Sequence, residues 1–296
     1  MVRVAILHEA PVPTASVRQL LLAFMKRGVE TLYLRLSRLS PFITKDGMWI
    51  GYGRAAIPRL DAAVVRGIGL VSSTEILFKR LDILRQLEFL GTLVVNPANS
   101  LISARDKFMA LLKLREAGLP VPDTAVVEDV FEVSEITKRW GTVVLKPLMG
   151  SMGYGSIKVS DPDVAFMIAK TWITHGQPVY IQKYERKVNR DIRIFVVGDE
   201  ALGAIYRYAP PDTWKTNVAQ GARVERAPLD EELRELAIKA SKTLGLLYSG
   251  IDVGETERGY VIYEVNSSPH WTGFMNATGI NPAEKIASLV LNLVKR

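Results

Sequence analysis

Cysteine is absent from the 296-residue chain, which removes disulfide frameworks, zinc–thiolate sites and thiol nucleophiles together. Histidine is scarce: His8, His175 and His270 are scattered along the sequence, a distribution that argues against a histidine-based metal cluster. No uninterrupted apolar run approaches the roughly 18–20 residues of a membrane span. The opening Met-Val-Arg-Val-Ala-Ile-Leu meets His8 and Glu9 too soon to form the apolar region of a signal peptide. A soluble, cytoplasmic protein without membrane partners is expected. Internal repeats and low-complexity tracts are also lacking. Charge of one sign is not concentrated either. The net charge is +7, yet basic and acidic residues are interspersed, as in Glu231-Glu232-Leu233-Arg234-Glu235. Without an arginine-rich arm, a nucleic-acid partner is not expected; the basic excess suits nucleotides and carboxylate substrates.

What is present is a regular alternation. With 48% hydrophobic residues the chain can bury a core spread over two or three subdomains. Strands are expected at Val2–Leu7, Thr31–Leu36, Asp61–Arg66 and Leu93–Val95, with helices at Ser16–Arg27 and Glu75–Leu90. This strand–helix order predicts a mostly parallel α/β domain over the first hundred residues. Arg66-Gly67-Ile68-Gly69 would lie at its carboxyl edge, where open sheets bind ligands, although a solvated loop arginine explains Arg66 equally well. A helix is expected over Ser103–Gly118, with Ser103 as N-cap and Asp106 in its first turn. Further helices are expected at Phe131–Trp140, Asp163–Trp172 and Leu229–Leu244.

The most informative stretch is Lys146-Pro147-Leu148-Met149-Gly150-Ser151-Met152-Gly153-Tyr154-Gly155. Apolar, β-branched residues on both sides read as strand–loop–strand. Its glycines and serine would let backbone N–H groups approach a polyphosphate, with Lys146 adding charge beside it. A hairpin with a glycine-rich turn explains the loop alone equally well. No Gly-Lys-Ser/Thr and no following helix are present, so neither the P-loop nor the Rossmann signature is met.

Two strand segments carry further polar chemistry. Asp191 and Arg193 share one face of the strand before Gly198, and Arg207 on the returning strand could join them; a cross-strand salt bridge is the alternative to a ligand role. Glu264 and Asn266 likewise share a face, with Asp252 placed opposite on the preceding strand. Two carboxylates and an amide oxygen among apolar neighbours suit a hard cation such as Mg²⁺.

Taken in order, Ser103-Ala104-Arg105-Asp106-Lys107, Lys146-Pro147 with its glycine loop, Asp191-Ile192-Arg193, Lys215-Thr216-Asn217, Gly250-Ile251-Asp252 and Glu264-Val265-Asn266-Ser267-Ser268-Pro269 resemble the RimK-like ligases of the ATP-grasp superfamily. The resemblance covers nearly the whole chain. It implies an α/β protein with α+β subdomains. An N-terminal Rossmann-like pre-ATP-grasp domain would span 1–100, a central ATP-grasp subdomain 101–183 and a C-terminal subdomain 184–296. ATP would lie between the last two, with two Mg²⁺ (or Mn²⁺) ions.

By the same resemblance, Lys107 and Lys146 contact phosphates, and Gly150, Ser151, Met152, Gly153, Tyr154 and Gly155 close over them. Gln182, Lys183, Tyr184 and Glu185 form the adenine hinge, with Asp191 near the ribose. An acidic residue is usual in the family where Lys183 stands, so backbone contacts to adenine are the ones implied. Asp252, Glu264 and Asn266 bind metal. Arg193, Lys215 and Asn217 serve the γ-phosphate or acyl phosphate. Arg66, Arg207 and Ser268 are candidate substrate contacts.

The implied activity joins a carboxylate of a small molecule or peptide to an amino acid, with glutamate favoured, through an acyl phosphate. The Trp214–Gly221 segment is most similar to the archaeal tetrahydromethanopterin:glutamate ligase branch. Ligases that modify proteins or act on an acidic carrier protein remain alternatives. So do an ATP-grasp kinase and a non-catalytic basic nucleic-acid-binding protein. A homo-oligomer is left open.

Overall fold

The computed structural model describes residues 1–69, 71–148, 154–217 and 221–295, and among these the strands form four sheets. The chain begins β1 (Arg3–His8), α1 (Ala15–Met25), β2 (Glu30–Arg35), β3 (Leu39–Thr44), β4 (Gly47–Tyr52), β5 (Ala55–Ala56), β6 (Ala62–Val65), α2 (Thr74–Phe89) and β7 (Leu93–Val95). A parallel sheet has the order β2-β1-β6-β7. Its inner strands are continuously apolar because both faces are covered. Val4, Ile6, Ala62 and Val64 pack with α1, whereas Ala5, Leu7, Ala63 and Val65 pack with α2. The expected Rossmann-like arrangement is therefore present. The β3–β4–β5 meander was not anticipated, since Pro41 and the glycines interrupt its alternation. It is held by Phe42 stacked on Trp49 at 3.9 Å and by Gln86 of α2, which donates to both their carbonyls.

Two helices, α3 (Ala98–Arg105) and α4 (Lys107–Glu116), stand where one helix over Ser103–Gly118 was expected. The break is Asp106, whose extended backbone lets its carboxylate accept from Phe108 N and Met109 N, both at 3.0 Å. It caps α4 instead of lying within its first turn. Next come β8 (Thr124–Val127), α5 (Val130–Trp140), β9 (Val143–Pro147), β10 (Ile157–Val159), α6 (Pro162–Thr174) and β11 (Val179–Lys183). Their antiparallel sheet has the order β10-β9-β11-β8. The period-2 alternation sends Val143, Leu145, Val179 and Ile181 toward α5 and α6. Val144, Lys146, Tyr180 and Gln182 consequently share the opposite face.

The chain closes with β12 (Arg190–Val197), β13 (Glu200–Tyr208), β14 (Arg223–Ala227), α7 (Glu231–Thr243), β15 (Tyr248–Thr256), β16 (Gly259–Asn266), α8 (Thr272–Thr278) and α9 (Pro282–Val294). The third sheet has the order β14-β13-β12-β15-β16. One face, with Ile192, Ile194, Val196, Ile251 and Val253, packs on Leu233, Leu236, Ala237 and Ala240 of α7 and on Leu111 and Leu114 of α4. Each fully buried leucine here contributes about 1.5–3 kcal/mol. The other face is divided lengthwise. Phe195, Val197, Ile205 and Tyr248 form an apolar half packed with Trp271, Phe274, α9 and the N-terminal sheet. Asp191, Arg193, Arg207, Asp252, Glu264 and Asn266 make the remaining half polar. No described helix is long and apolar enough to cross a membrane.

The N-terminal sheet is joined to this third sheet by buried polar contacts. Asn96, following β7, donates to Tyr248 O and Ser267 O and accepts from Leu247 N and Tyr248 N. These contacts fix the outer end of β15 against the pre-formed α/β layer.

Candidate active site

A cleft opens between the Lys146–Gln182 face of the second sheet and the polar half of the third. Lys107, Lys146, Gln182, Lys183, Tyr184 and Glu185 line one side, with Asp191, Arg207, Asp252 and Glu264 opposite. Tyr154, Trp214, Lys215, Thr216 and Asn217 complete the walls.

The floor follows from strand register. Arg193 of β12, Asp252 of β15 and Glu264 of β16 are directly opposed across three strands. Asn266 pairs with Gly250 one step along the same face. A Cβ at Gly250 would lie 2.8 Å from Pro269 Cβ and 3.2 Å from Arg193 Cδ, so glycine makes room for that arginine. Arg193 donates to both carboxylate oxygens of Asp252, and Arg207 reaches Asp252 at 3.1 Å and both oxygens of Asp191 at 2.7 Å. Burial raises the pKa of Asp252, but the two arginines outweigh it and hold the carboxyl below its usual range.

Across the cleft, Lys146 donates to Gln182 Oε1 at 2.8 Å, while Lys107 donates to Leu148 O at 3.0 Å. Burial lowers the Lys146 pKa to about 8, with Glu264 partly offsetting it and the Lys107 charge adding to the fall. Lys107 is lowered by burial as well. Two ammonium groups in one partly desolvated wall have the charge to receive a polyanion.

At the hinge, Lys183 N donates to Asp123 O and Tyr184 N to Thr142 O, both at 2.9 Å. Tyr184 meets Trp214 edge-on at 6.3 Å. Three cleft residues escaped the sequence reading. Lys187, half-buried with its pKa lowered by desolvation, donates to Arg190 O. Thr216 donates to Asp191. Tyr263 presents a buried hydroxyl without a hydrogen-bond partner among the described residues. Tyr263 sits at a register shift between Asp252 and Val253, which strict alternation could not have shown.

Several expected site residues have a different setting. Arg66 is only 5% exposed, lies 4.1 Å over Trp271 and donates to Pro269 O at 2.8 Å. It joins two layers of the fold and does not line the cleft. Ser268 donates to Val65 O in the same joint. Arg207 does line the cleft, but its guanidinium is engaged by Asp191 and Asp252, so it organises the floor instead of presenting free donors to a substrate. Asp191 is held by Arg207 and Thr216. Gly150, Ser151, Met152 and Gly153 lie outside the described residues; Tyr154, which follows them, is exposed at the cleft.

A polar cleft between two antiparallel sheets, behind a Rossmann-like layer, is the architecture of an ATP-grasp enzyme. Solved structures agree on the fold. ATP-grasp ligase PsnB complexed with a phosphomimetic variant of minimal precursor, Mg and ADP superposes with TM-score 0.76 at 20% identity, covering 98% of both chains. The RimK domain protein ATP-grasp from Sphaerobacter thermophilus gives 0.71 at 26% identity, covering 98% of this chain and 99% of that one. The RimK PreATP-grasp domain model matches residues 2–101 and the RimK-like ATP-grasp domain model residues 104–290. The chain belongs to the RimK-like ATP-grasp family and is an ATP-dependent ligase that forms carbon–nitrogen bonds. Among similar proteins, the tetrahydromethanopterin:alpha-L-glutamate ligase of Methanocaldococcus jannaschii is 35% identical over 250 residues, covering 82% of this chain and 84% of that protein. The protein of the same name from Methanosarcina acetivorans is 34% identical over 270 residues, covering 82% and 83%.

Proposed function

We propose that this protein adds L-glutamate to a carboxylate of a small molecule or peptide, with ATP as the activating substrate. The observation that carries the reading is Asp252 and Glu264 facing the Lys107–Lys146 pair across one cleft, with Arg193 in register beside Asp252. Cations on one wall would hold the phosphates, and the opposite wall supplies both an arginine and a hard oxygen donor set. The alpha-L-glutamate ligase relatives favour glutamate as the incoming amine.

The residues support two in-line steps. A carboxylate oxygen of the acceptor attacks the γ-phosphorus and ADP leaves, giving an acyl phosphate. The amine nitrogen then attacks the acyl carbon, loses a proton, and inorganic phosphate departs as the amide forms. No protein nucleophile is required, consistent with the lack of cysteine. Arg193, Lys215 and Asn217 would stabilise charge on the transferred phosphoryl group. Lys183, Tyr184 and Glu185 would meet adenine. With the Lys183 and Tyr184 N–H groups engaged elsewhere, the hinge carbonyls and Glu185 are the groups left for the base.

Two carboxylates and an amide, without sulfur or imidazole, suit Mg²⁺ or Mn²⁺. Asp252 and Glu264 are direct cross-strand neighbours and Asn266 lies one step along the same face, so two carboxylates and an amide oxygen share one strip of the sheet. The donor set therefore fits the metal. Asp252, Glu264 and Asn266 would hold two ions, which neutralise phosphate charge when bound. The acceptor panel that tests the reading contains a pterin coenzyme, a deazaflavin coenzyme, an acidic peptide and an acidic carrier protein. Mass spectrometry should find one glutamyl unit added to one of them, dependent on ATP and absent in Glu264→Ala. ADP release with a phosphorylated acceptor and no amide would assign a kinase instead.

A further inference from the structure

Arg105, at the end of α3, has no role in the reaction above, yet it is half-buried and its Nε is shielded from solvent without a hydrogen-bond partner among the described residues. Helix geometry places it opposite Arg80. Leu101 of α3 and Leu84 of α2 share one apolar cluster. Arg105 lies one turn after Leu101 and Arg80 one turn before Leu84, so both extend the contact of these antiparallel helices at the same end. Arg80 is 8% exposed, donates to Ile68 O and lies 4.0 Å from Glu9.

This end is the carboxyl edge of the parallel sheet. Glu9 follows β1, and Gly67–Gly69 follows β6. The loop is pressed against both side chains: a Cβ at Gly69 would lie 2.3 Å from Glu9 Cγ and 3.0 Å from Arg80 Nη1. Glu9 also accepts from Ser37 N at 2.7 Å, so its carboxylate is shared. Burial and the Arg80 charge both push the Arg105 guanidinium below its ordinary pKa, and Arg105 in turn lowers Lys107. Positive charge thus runs from the sheet edge through Arg105 to the phosphate wall of the cleft.

We propose that Arg105, with Arg80 beside it, forms an anion subsite that binds a second negatively charged group of the acceptor, a carboxylate or a phosphate, apart from the carboxylate that is activated. The acceptor is then at least a dianion, lying across the carboxyl edge of the N-terminal sheet with its reacting end at Lys107 and Arg193. A planar guanidinium with unused donors matches such a group bidentately. Its role as an acceptor contact rests on the ligase reading; the existence of the anion site does not.

The test begins without turnover. Protein saturated with Mg²⁺ and a non-hydrolysable ATP analogue, which fills the nucleotide site, is titrated with inorganic phosphate by calorimetry. Saturable binding is expected, weakened at least tenfold by Arg105→Gln and partly restored by Arg105→Lys, with unfolding midpoints showing that both variants are folded. Equal phosphate affinity in wild type and Arg105→Gln, or no saturable binding in wild type, overturns the proposal. In turnover with an acceptor from the panel, Arg105→Gln should raise KM for the acceptor at least tenfold while KM for the amine stays unchanged. A rise confined to the amine would place the anion on the wrong substrate and overturn the acceptor assignment. If no acceptor of the panel yields an amide, the acceptor assignment fails and the phosphate titration still decides the anion site.

Discussion

Arg193 and Asp252 face one another across the β12–β15 pair, and the Arg193 guanidinium donates to both oxygens of that carboxylate. Arg207 binds the same carboxylate at 3.1 Å. The proposed metal ligand is therefore already neutralised by two arginines. Mg²⁺ should bind the nucleotide-free protein at least tenfold more weakly than the ADP complex, where phosphate oxygens add ligands and draw Arg193 away. Calorimetric titration with Mg²⁺, with and without ADP, measures this; equal affinities would contradict it.

The pair Asp191–Arg207 is buried on both sides, with side chains 7% and 6% exposed. Breaking such a pair from one side leaves an uncompensated buried charge and costs about 3–5 kcal/mol. Asp191→Asn should therefore lower the urea midpoint sharply. The double substitution Asp191→Asn with Arg207→Met should be less harmful than the sum of the two single changes. Strict additivity would show that the two residues are not coupled.

Lys146 gives a pH dependence with a definite sign. Its pKa is lowered by burial to about 8 in the free protein, and a bound polyphosphate must raise it. Below about pH 8 the cation is already present, and nucleotide binding needs no proton. Above it, binding takes up a proton, and ADP affinity should fall by up to about tenfold per pH unit until the pKa of the complex is reached. Lys146→Arg, which stays charged, should flatten the profile. An ADP affinity independent of pH between 7.5 and about 9.5 would remove Lys146 from the phosphate site.

Asp106 positions Lys107 by ending α3 and starting α4. Asp106→Ala should cost about 1 kcal/mol in stability through the lost cap. It should also raise KM for ATP more than it lowers kcat, because the lysine that follows loses its fixed origin. Unfolding midpoints and initial-rate kinetics separate the two effects. Unchanged KM alongside lowered stability would leave Asp106 a cap alone.

Much of the polar floor was legible because strands alternate. Once Glu264 and Asn266 fall on one strand with Asp252 on its hairpin partner, period 2 places all three on one face. The same rule separated Asp191 and Arg193 from Ile192 and Ile194. Arg66 was misread because a loop arginine after a strand resembles a ligand contact; its burial comes from Trp271 and Pro269, about two hundred residues away. Lys187 and Tyr263 were missed because their surroundings depend on pairing between strands. The break at Asp106 was hidden because Ser103 and Asp106 are both N-cap residue types before the apolar face of Phe108, Leu111 and Leu114, and only the backbone angle distinguishes a cap from a first-turn residue.

The central claim is that the acceptor carboxylate is activated as an acyl phosphate. It is tested most directly with an acceptor labelled with ¹⁸O in that carboxylate, incubated with ATP, Mg²⁺ and glutamate. One labelled oxygen should appear in the released inorganic phosphate for each amide formed, because the attacking oxygen stays with phosphorus when the amine displaces it. Amide formation with unlabelled phosphate, or label retained in a stable phosphorylated acceptor, would contradict the account.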